Sequence, residues 1–161
     1  MSKKDIRLMI DDVKFSSRAV GVLKKNNKIL FQKRKSDEFW ALPGGAIEVF
    51  ERAKNVITRE LEEEIGLTNV KVIRPLWFAE YFFKFDELNQ HQYIIGYLLD
   101  IEDSNDIINK DVIEGIEEGK NIIYKWMNID EIKDAKIKPD YLKEKLTNIK
   151  NEFEFIEEED L

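Results

Sequence analysis

The chain contains 161 residues, of which 43% are hydrophobic and 37% are charged, a composition suited to one soluble domain with a single core. Its formal net charge of −7 disfavours general adhesion to nucleic acid, which requires a positive surface that displaces counterions. With no cysteine and one histidine, the composition excludes disulfide scaffolds, thiolate zinc sites, cysteine nucleophiles and multi-histidine metal sites.

The first half of the chain predicts a hairpin followed by a helix. Residues 18–23 and 29–32 are typical of strands, and the polar, Asn-rich segment between them suits a tight turn. Pro-Gly-Gly at 43–45 indicates a turn or loop. A helix is predicted from about residue 52 to residue 65, and it ends at Gly66, where left-handed geometry is favoured.

The next part of the chain predicts a longer hairpin, a loop and a last strand. Residues 70–85 and 93–101 are rich in β-branched and aromatic side chains, and the polar sequence DELNQHQ between them predicts a connecting turn. The acidic residues 102–120 predict a long mobile loop. A strand is then expected at 122–127.

The C-terminal part predicts little further structure. One helical turn is expected at 130–133, and Pro139 is expected to open a final helix over about 140–151. The acidic tail, about 152–161, is expected to be frayed. Mostly antiparallel strands with two helices predict the α+β class, as one domain spanning 1–161.

The carboxylates at the end of the main helix are more than an ordinary charged face. At about 100° per residue, Glu60, Glu63 and Glu64 lie within roughly 60° of one another and continue the apolar stripe of the helix. Glu62 lies on the other side. A solvated charged face is the alternative interpretation, because most charge runs are solvated.

Electrostatics favours a bound cation at this cluster. Acids near a helix C-terminus are disfavoured by ~0.3–1 kcal/mol each, and like charges at i,i+3 and i,i+4 add a few tenths more. A partly buried cluster costs still more, against a total stability of only ~5–15 kcal/mol. Mg²⁺ or Mn²⁺, which prefer hard oxygen ligands, would compensate for this repulsion.

The stretch that contains these acids resembles the signature box of the Nudix hydrolases. All of the fixed positions of that box match, so the resemblance is specific although it covers a small part of the chain. The matching positions are Gly45, Glu51, Arg59, Glu60, Leu61, Glu63, Glu64, Gly66 and Leu67. Phe50 departs from the pattern, because a glycine is common there.

The resemblance implies a Nudix fold, an α/β/α sandwich with a mixed β-sheet. It also implies hydrolysis of a nucleoside diphosphate linked to another moiety, with Mg²⁺ (or Mn²⁺) as cofactor. Carried over by position, Glu60, Glu63 and Glu64 would bind the metal, and the carbonyl of Gly45 would be a further ligand. Arg59 would orient these glutamates.

Two roles stay open within this resemblance. Some members of the family carry a His-Glu pair in the later hairpin, whereas this chain has His91 and Gln92. A loop acid could substitute, and Glu117 and Glu118 are the candidates. The general base is either a box glutamate, Glu63 or Glu60, or the loop acid Glu118.

Further residues are candidates for substrate binding. Arg18 and Arg34 lie on predicted strands near the box and could contact phosphate, although surface arginines are equally common on strands. Glu48 belongs to the lead-in of the box, and Glu80 and Tyr81 resemble a segment that lies close to substrate in some Nudix enzymes. Core packing is the alternative for the aromatic residue.

The expected partner is a small phosphorylated nucleotide: a nucleotide sugar, a dinucleoside polyphosphate or a (d)NTP. An inactive Nudix module that senses a nucleotide, an isoprenyl diphosphate isomerase and a DNA-repair accessory domain are the alternatives. No nucleic acid or membrane partner is expected, because the chain is acidic and no apolar run spans a bilayer. The charged N-terminus without an apolar core segment predicts a cytoplasmic protein, and a homodimer stays open.

Overall fold

The fold is built on one mixed sheet with helices on both faces. The computed structural model describes residues 4–161, so the first three residues of the predicted domain 1–161 lie outside the described part. The elements in chain order are β1 (Arg7–Ile10), β2 (Val13–Lys25), β3 (Lys28–Arg34), β4 (Gly44–Ala46), α1 (Ala53–Ile65), β5 (Lys71–Phe85), β6 (Leu88–Asp100), a 3₁₀ turn (Asp106–Asn109), β7 (Val112–Glu114), β8 (Ile122–Asn128), α2 (Ile129–Ile132), α3 (Leu142–Lys145) and β9 (Glu154–Asp160).

The nine strands form a sheet whose main path runs β7-β8-β3-β2-β6-β5-β9, while β1 and β4 pair with β2 beside that path. β2 is parallel to β6 and β5 is parallel to β9, and the other pairs are antiparallel. This mixed sheet with helices packed on it confirms the predicted α+β class and the α/β/α sandwich.

Each face of the sheet carries its own apolar cluster. The cluster beneath α1 includes the buried residues Val56, Ile57 and Leu61. The cluster on the opposite face packs against α2 and α3 and includes Trp77 and Leu142. Within residues 4–161, no helix is long and apolar enough to cross a bilayer.

The first predicted hairpin is confirmed in detail. Asn26 and Asn27 have φ values of 51° and 63°, which match the left-handed pair of a type I′ turn. β2 is longer than the predicted strand at 18–23, because its outer half pairs with β6 from Val13 onwards. Strand pairing therefore extends the hairpin beyond its apolar centre.

The connection of the second hairpin is shorter than predicted. Only Asp86 and Glu87 form the turn, with φ values of 50° and 63°, and β6 begins at Leu88. The rest of DELNQHQ is strand, because the backbone of Asn89 is paired with both β2 and β5. Main-chain pairing on two sides outweighs the polar side chains that suggested a loop.

Gly44 and Gly45 serve close packing within a strand, so of the turn or loop predicted at 43–45 only Pro43 lies in a bend. Gly44–Ala46 form β4, which pairs antiparallel with β2. A Cβ atom on Gly44 would lie 2.1 Å from the carbonyl oxygen of Ala19. Only glycine allows the two backbones to approach this closely.

Helix α1 confirms the predicted helix at the centre of the box. It begins at Ala53 and ends at Ile65, and Gly66 follows with a left-handed φ of 66°. The amide of Gly66 donates to the carbonyl of Glu62 at 3.0 Å, which satisfies one of the orphan carbonyls of the last turn.

The prediction of one long mobile loop over 102–120 is wrong. The 3₁₀ turn Asp106–Asn109 and strand β7 interrupt this segment. Ile107 and Ile113 are 7% and 8% exposed and belong to the cluster beneath α1. Two buried isoleucines therefore anchor a segment whose composition is otherwise acidic.

The strand predicted at 122–127 and the helical turn predicted at 130–133 are confirmed by β8 and α2. The final helix predicted at 140–151 is too long, because α3 consists of a single turn. The hydroxyl of Thr147 lies 2.9 and 3.2 Å from the carbonyl oxygens three and four positions earlier. This local bonding competes with continuation of the helix.

The prediction of a frayed tail at 152–161 is also wrong. Glu154–Asp160 form β9, which pairs in parallel with β5 at the edge of the sheet. Ile156 is 6% exposed and packs in the cluster opposite α1, and Lys145 forms an ion pair with Glu154. Long-range pairing and one buried side chain hold the acidic segment in place.

Candidate active site

Arg59 connects the carboxylates of the box. Its Nε and Nη2 atoms donate to the two oxygens of Glu51 at 2.7 and 3.0 Å, a bidentate pair. Its Nη1 atom donates to Glu60 at 3.1 Å and to Glu63 at 3.4 Å. The hydrogen bond to Glu51 raises the pKa of the guanidinium, so Arg59 stays charged. Arg59 therefore contacts two of the predicted metal ligands, Glu60 and Glu63.

Glu60 lies against the backbone of β4. A Cβ atom on Gly45 would be 2.6 Å from Glu60 Oε1, so the glycine leaves the space that the carboxylate occupies. Burial raises the pKa of Glu60, and the nearby Arg59 partly offsets this effect. Gly45 and Glu60, two of the four residues that the resemblance assigns to the metal, are thus neighbours in the structure.

Glu64 is the most deeply buried acid of the cluster. It is 2% exposed, its Oε1 atom accepts a hydrogen bond from Lys120 Nζ at 2.9 Å, and its Oε2 atom accepts none. Burial raises the pKa of Glu64. A buried carboxylate oxygen without a donor is costly and marks a position that a cation would satisfy.

The connection between β7 and β8 brings an acid to Glu64. The amide of Ile116 donates to the backbone carbonyl of Glu64 at 2.7 Å. The carboxyl of Glu117 lies within hydrogen-bonding reach of the Glu64 carboxyl, and its Oε2 atom lies 3.0 Å from Lys120 Nζ. The neighbouring acid, Glu118, is exposed. Of the two predicted loop acids, the structure therefore places Glu117 at the cluster.

The donors fit a hard divalent cation, although the metal ligands are not preassembled. Among residues 4–161, no three acidic or histidine side chains already converge on one point. Arg59 and Lys120 instead hold the carboxylates in separate ion pairs. The oxygen donors and the unsatisfied Oε2 atom of Glu64 suit Mg²⁺ or Mn²⁺.

The two predicted phosphate-binding arginines are placed differently. Arg18 lies in β2 directly opposite Ala46 of β4. Burial and the neighbouring Arg7 lower the pKa of Arg18, and Glu60 partly offsets this effect. Arg34, at the end of β3, is exposed. Arg18 therefore lies beside the cluster, whereas Arg34 faces solvent.

The remaining predicted substrate residues lie in different surroundings. Glu48 Oε1 lies 3.9 Å from Arg59 Nη2, at the edge of the cluster. Tyr81 is 4% exposed and belongs to the apolar cluster on the face opposite α1, which favours core packing, the alternative for this residue. Glu80 is half-buried in β5, where it pairs with Tyr93 of β6 and Glu157 of β9.

His91 lies in an aromatic cluster, and Phe50 is an exposed residue with left-handed backbone geometry. The His91 ring packs edge-on against Phe82 at 4.5 Å and lies among aromatic side chains, away from the acids. Phe50 is 97% exposed and has a left-handed φ of 64°. That backbone conformation explains why glycine is common at this position of the box.

Lys120 is the site residue that sequence reasoning missed. Its ammonium lies 2.9 Å from Glu64 and 3.0 Å from Glu117. Burial disfavours the charge, but the two carboxylates outweigh it and raise the pKa of Lys120. No spacing rule links a loop lysine to a helix glutamate 56 positions earlier in the chain.

Comparison with known proteins identifies relatives for most of this chain. A family model described as NUDIX domain matches residues 16–146. The chain is 46% identical over 50 residues to an ADP-ribose pyrophosphatase from Methanocaldococcus jannaschii, covering 29% of this chain and 30% of that protein. It is 36% identical over 64 residues to an RNA pyrophosphohydrolase from Actinobacillus pleuropneumoniae serotype 5b, covering 40% and 31%.

The matched segments are short relative to those proteins. The chain spans about a third of the length of these curated relatives. An 8-oxo-dGTP diphosphatase from Buchnera aphidicola is 32% identical over 78 residues, covering 45% of this chain and 58% of that protein. The matches support a shared domain more than a shared substrate.

Solved structures support the same fold. A NUDIX hydrolase from Nitrosomonas europaea superposes with a TM-score of 0.58 at 17% identity, covering 89% of this chain and 78% of that one. A UDP-X diphosphatase superposes with a TM-score of 0.55 at 20% identity, covering 88% and 66%. At these identities the likeness extends to the fold alone.

Proposed function

The chain belongs to the Nudix domain family, and on that basis we propose that it hydrolyses a diphosphate linkage in a small nucleotide-type molecule with the help of Mg²⁺ or Mn²⁺. One observation carries the proposal. The carboxylate of Glu64 is buried, has one unsatisfied oxygen and faces the carboxyl of Glu117. Lys120 pairs with one oxygen of Glu64 only, and leaving the other oxygen buried without a positive partner costs stability that a divalent cation would restore.

The ligands of the divalent cation come from α1, β4 and the β7–β8 connection. Glu60, Glu63 and Glu64 provide carboxylate oxygens, and Gly45 provides its carbonyl. Glu117 takes the part of the loop acid, supported by its contact with Glu64. When bound, the cation supplies positive charge that neutralises the diphosphate and acidifies water.

Arg59 positions the acids that do the chemistry. Glu63 is 47% exposed at its side chain and Glu60 is 15% exposed, so a water that attacks phosphorus reaches Glu63 more easily. We therefore assign the proton acceptor to a carboxylate oxygen of Glu63, with Glu60 as the competing candidate. Glu118 is less suited, because it is exposed and away from the ion pairs of Arg59.

The arginines contribute to substrate binding. Arg18 lies opposite β4 and keeps a positive charge near Glu60, where it would contact a phosphate oxygen. Arg34, exposed at the end of β3, would reach a substrate only from the outside of the site. We therefore expect substitution of Arg18 to have the larger effect on KM.

The substrate class follows from the chemistry that the relatives share. They are named as an ADP-ribose pyrophosphatase, an RNA pyrophosphohydrolase and an 8-oxo-dGTP diphosphatase, so each acts at a phosphoric anhydride. A net charge of −7 disfavours a long nucleic acid as the substrate of this chain. A free nucleotide or nucleotide sugar is the substrate class that we propose.

The test is turnover of a defined substrate panel with and without a divalent metal. ADP-ribose, a nucleotide sugar, a dinucleoside polyphosphate, dGTP and 8-oxo-dGTP are incubated with millimolar Mg²⁺ or with EDTA, and the nucleotide products are separated and quantified by anion-exchange chromatography. Glu63→Gln should lower kcat by about 10²–10⁴-fold, the usual contribution of a general base. Glu62→Gln, on the opposite side of the same helix, is the control and should retain activity.

Two results would contradict the proposal. One is binding of a nucleotide without turnover in Mg²⁺ or Mn²⁺, which would favour the sensor alternative. The other is a Glu63→Gln variant as active as the Glu62→Gln control. Thermal melting is a separate check of the metal site. A ligand at ~100 times its Kd stabilises a protein by ~2.7 kcal/mol, so a melting temperature that does not change in millimolar Mg²⁺ would contradict the site.

A further inference from the structure

A lysine lies where the buried acids of the site need positive charge. Lys120 Nζ is 2.9 Å from Glu64 Oε1 and 3.0 Å from Glu117 Oε2. Glu64 is 2% exposed at its side chain, whereas Lys120 is 43% exposed. The lysine thus reaches from solvent into the cluster and neutralises a carboxylate that water cannot solvate.

The loop that carries Lys120 is held firmly at its base and weakly at its tip. The Ile116 amide donates to the Glu64 carbonyl at 2.7 Å, so the start of the loop is fixed to α1. Gly119 and Asn121, which flank the lysine, have φ values of 84° and 50°. Within the tip, the Lys120 amide donates to the Glu117 carbonyl at 3.5 Å, whereas the base beyond the lysine is held by the Lys35 amide, which donates to the Asn121 carbonyl at 2.9 Å. The tip can change conformation without disturbing the core.

An ammonium and a divalent cation oppose each other at these two carboxylates. Both require the same carboxylates, Glu64 and Glu117, and two cations a few ångströms apart repel each other strongly in a site of low dielectric. Arg59 also contacts two proposed ligands, Glu60 at 3.1 Å and Glu63 at 3.4 Å, but its bidentate pair is with Glu51, which is not assigned to the metal. The conflict is therefore greatest at Lys120, because both of its partners at the site, Glu64 and Glu117, are assigned to the metal.

We propose that Lys120 is a tethered counter-cation that competes with the divalent metal for Glu64 and Glu117 and so sets the metal affinity of the site. The lysine stabilises the buried acids until the metal displaces it, and the displaced side chain then points to solvent. This role rests on the proposed function, because the same carboxylates are assigned there to the metal. Lys120 is a positioning residue under this assignment.

The first experiment compares Mn²⁺ binding by isothermal titration calorimetry. Lys120→Met should lower the Kd for Mn²⁺ by about tenfold, since the metal no longer has to break an ion pair. In EDTA, the same variant should have a lower melting temperature than wild type. Addition of Mn²⁺ should raise its melting temperature by more than it raises that of wild type. Lys110→Met is the matched control, because Lys110 is exposed and its loss changes the net charge equally.

The second experiment needs no variant and therefore does not depend on folding of a mutant. Wild-type protein is treated briefly with an acetylating reagent, with and without Mg²⁺, and the modification of each lysine is measured by mass spectrometry. Mg²⁺ should increase the acetylation of Lys120 several-fold and leave that of Lys110 unchanged. Both readouts are independent of catalytic activity.

The outcomes separate this inference from the proposed function. If wild type binds Mn²⁺ and Lys120→Met binds it equally or more weakly, the competition is refuted while the metal site stands. If Mg²⁺ does not change the acetylation of Lys120, the competition is refuted as well. If wild type shows neither metal binding nor metal-dependent turnover, the proposed function itself fails.

Discussion

Removal of Arg59 should destabilise the protein, because the buried Glu51 loses two charge-assisted hydrogen bonds and keeps the weaker one from the Glu48 amide at 3.2 Å. Glu51 is 9% exposed at its side chain and accepts two hydrogen bonds from Arg59, at 2.7 and 3.0 Å. Breaking a buried pair by removing one partner costs ~3–5 kcal/mol. Arg59 is 26% exposed, so Arg59→Met should fall at the lower end, about 3 kcal/mol. For a chain of this size, that loss lowers Tm by roughly 6–12 °C.

The assay is urea denaturation of wild type, Arg59→Met, Glu51→Gln and the double variant, followed by circular dichroism. The double variant should lose less than the sum of the single losses, with a coupling of about 1–3 kcal/mol. Arg52→Met, at the N-cap position just before α1, is the control. Arg52 is exposed and forms no ion pair within the described residues, so its loss should change stability by less than about 0.5 kcal/mol.

Two results would refute this reasoning. The first is an Arg59→Met variant within about 1 kcal/mol of Arg52→Met, a difference too small for the loss of a buried charge partner. The second is strict additivity in the double variant, which would mean that Arg59 and Glu51 act independently. Measured on the same proteins, kcat should fall in Arg59→Met, because Glu60 and Glu63 lose the group that orients them.

Two further substitutions test the close packing of the site and the ordered tail. Gly45→Ala should reduce turnover by about tenfold or more, which is equivalent to ~1.4 kcal/mol in the activation barrier. The reason is that the new Cβ would lie 2.6 Å from Glu60 Oε1 and displace that carboxylate. An unchanged kcat would show that Glu60 is not needed in this position. Ile156→Ala should lower the free energy of unfolding by ~2–5 kcal/mol, as for a core residue. Phe155 is exposed, so Phe155→Ala should lower the free energy of unfolding much less. Equal small effects of the two substitutions would mean that β9 is not part of the core.

Local rules in the sequence determined the part of the molecule that carries the chemistry. The helix, its end at Gly66 and the common face of its acids depend on spacing along one stretch of chain, and the structure confirms the first two. The tight turn at Asn26 and Asn27 is likewise a property of two adjacent residues. Because these features need no distant contact, sequence patterns were sufficient to find them.

The tertiary structure decided whatever depends on distant partners. An acidic tail becomes strand β9 only because β5 offers a free edge and a pocket for Ile156. Tyr81 lies in the core because strand alternation places it on the face away from α1. Lys120 meets Glu64 across 56 positions, through a loop that composition alone suggested was mobile. Sequence patterns report local preference, and they carry no information on which distant charge or strand edge will be adjacent after folding.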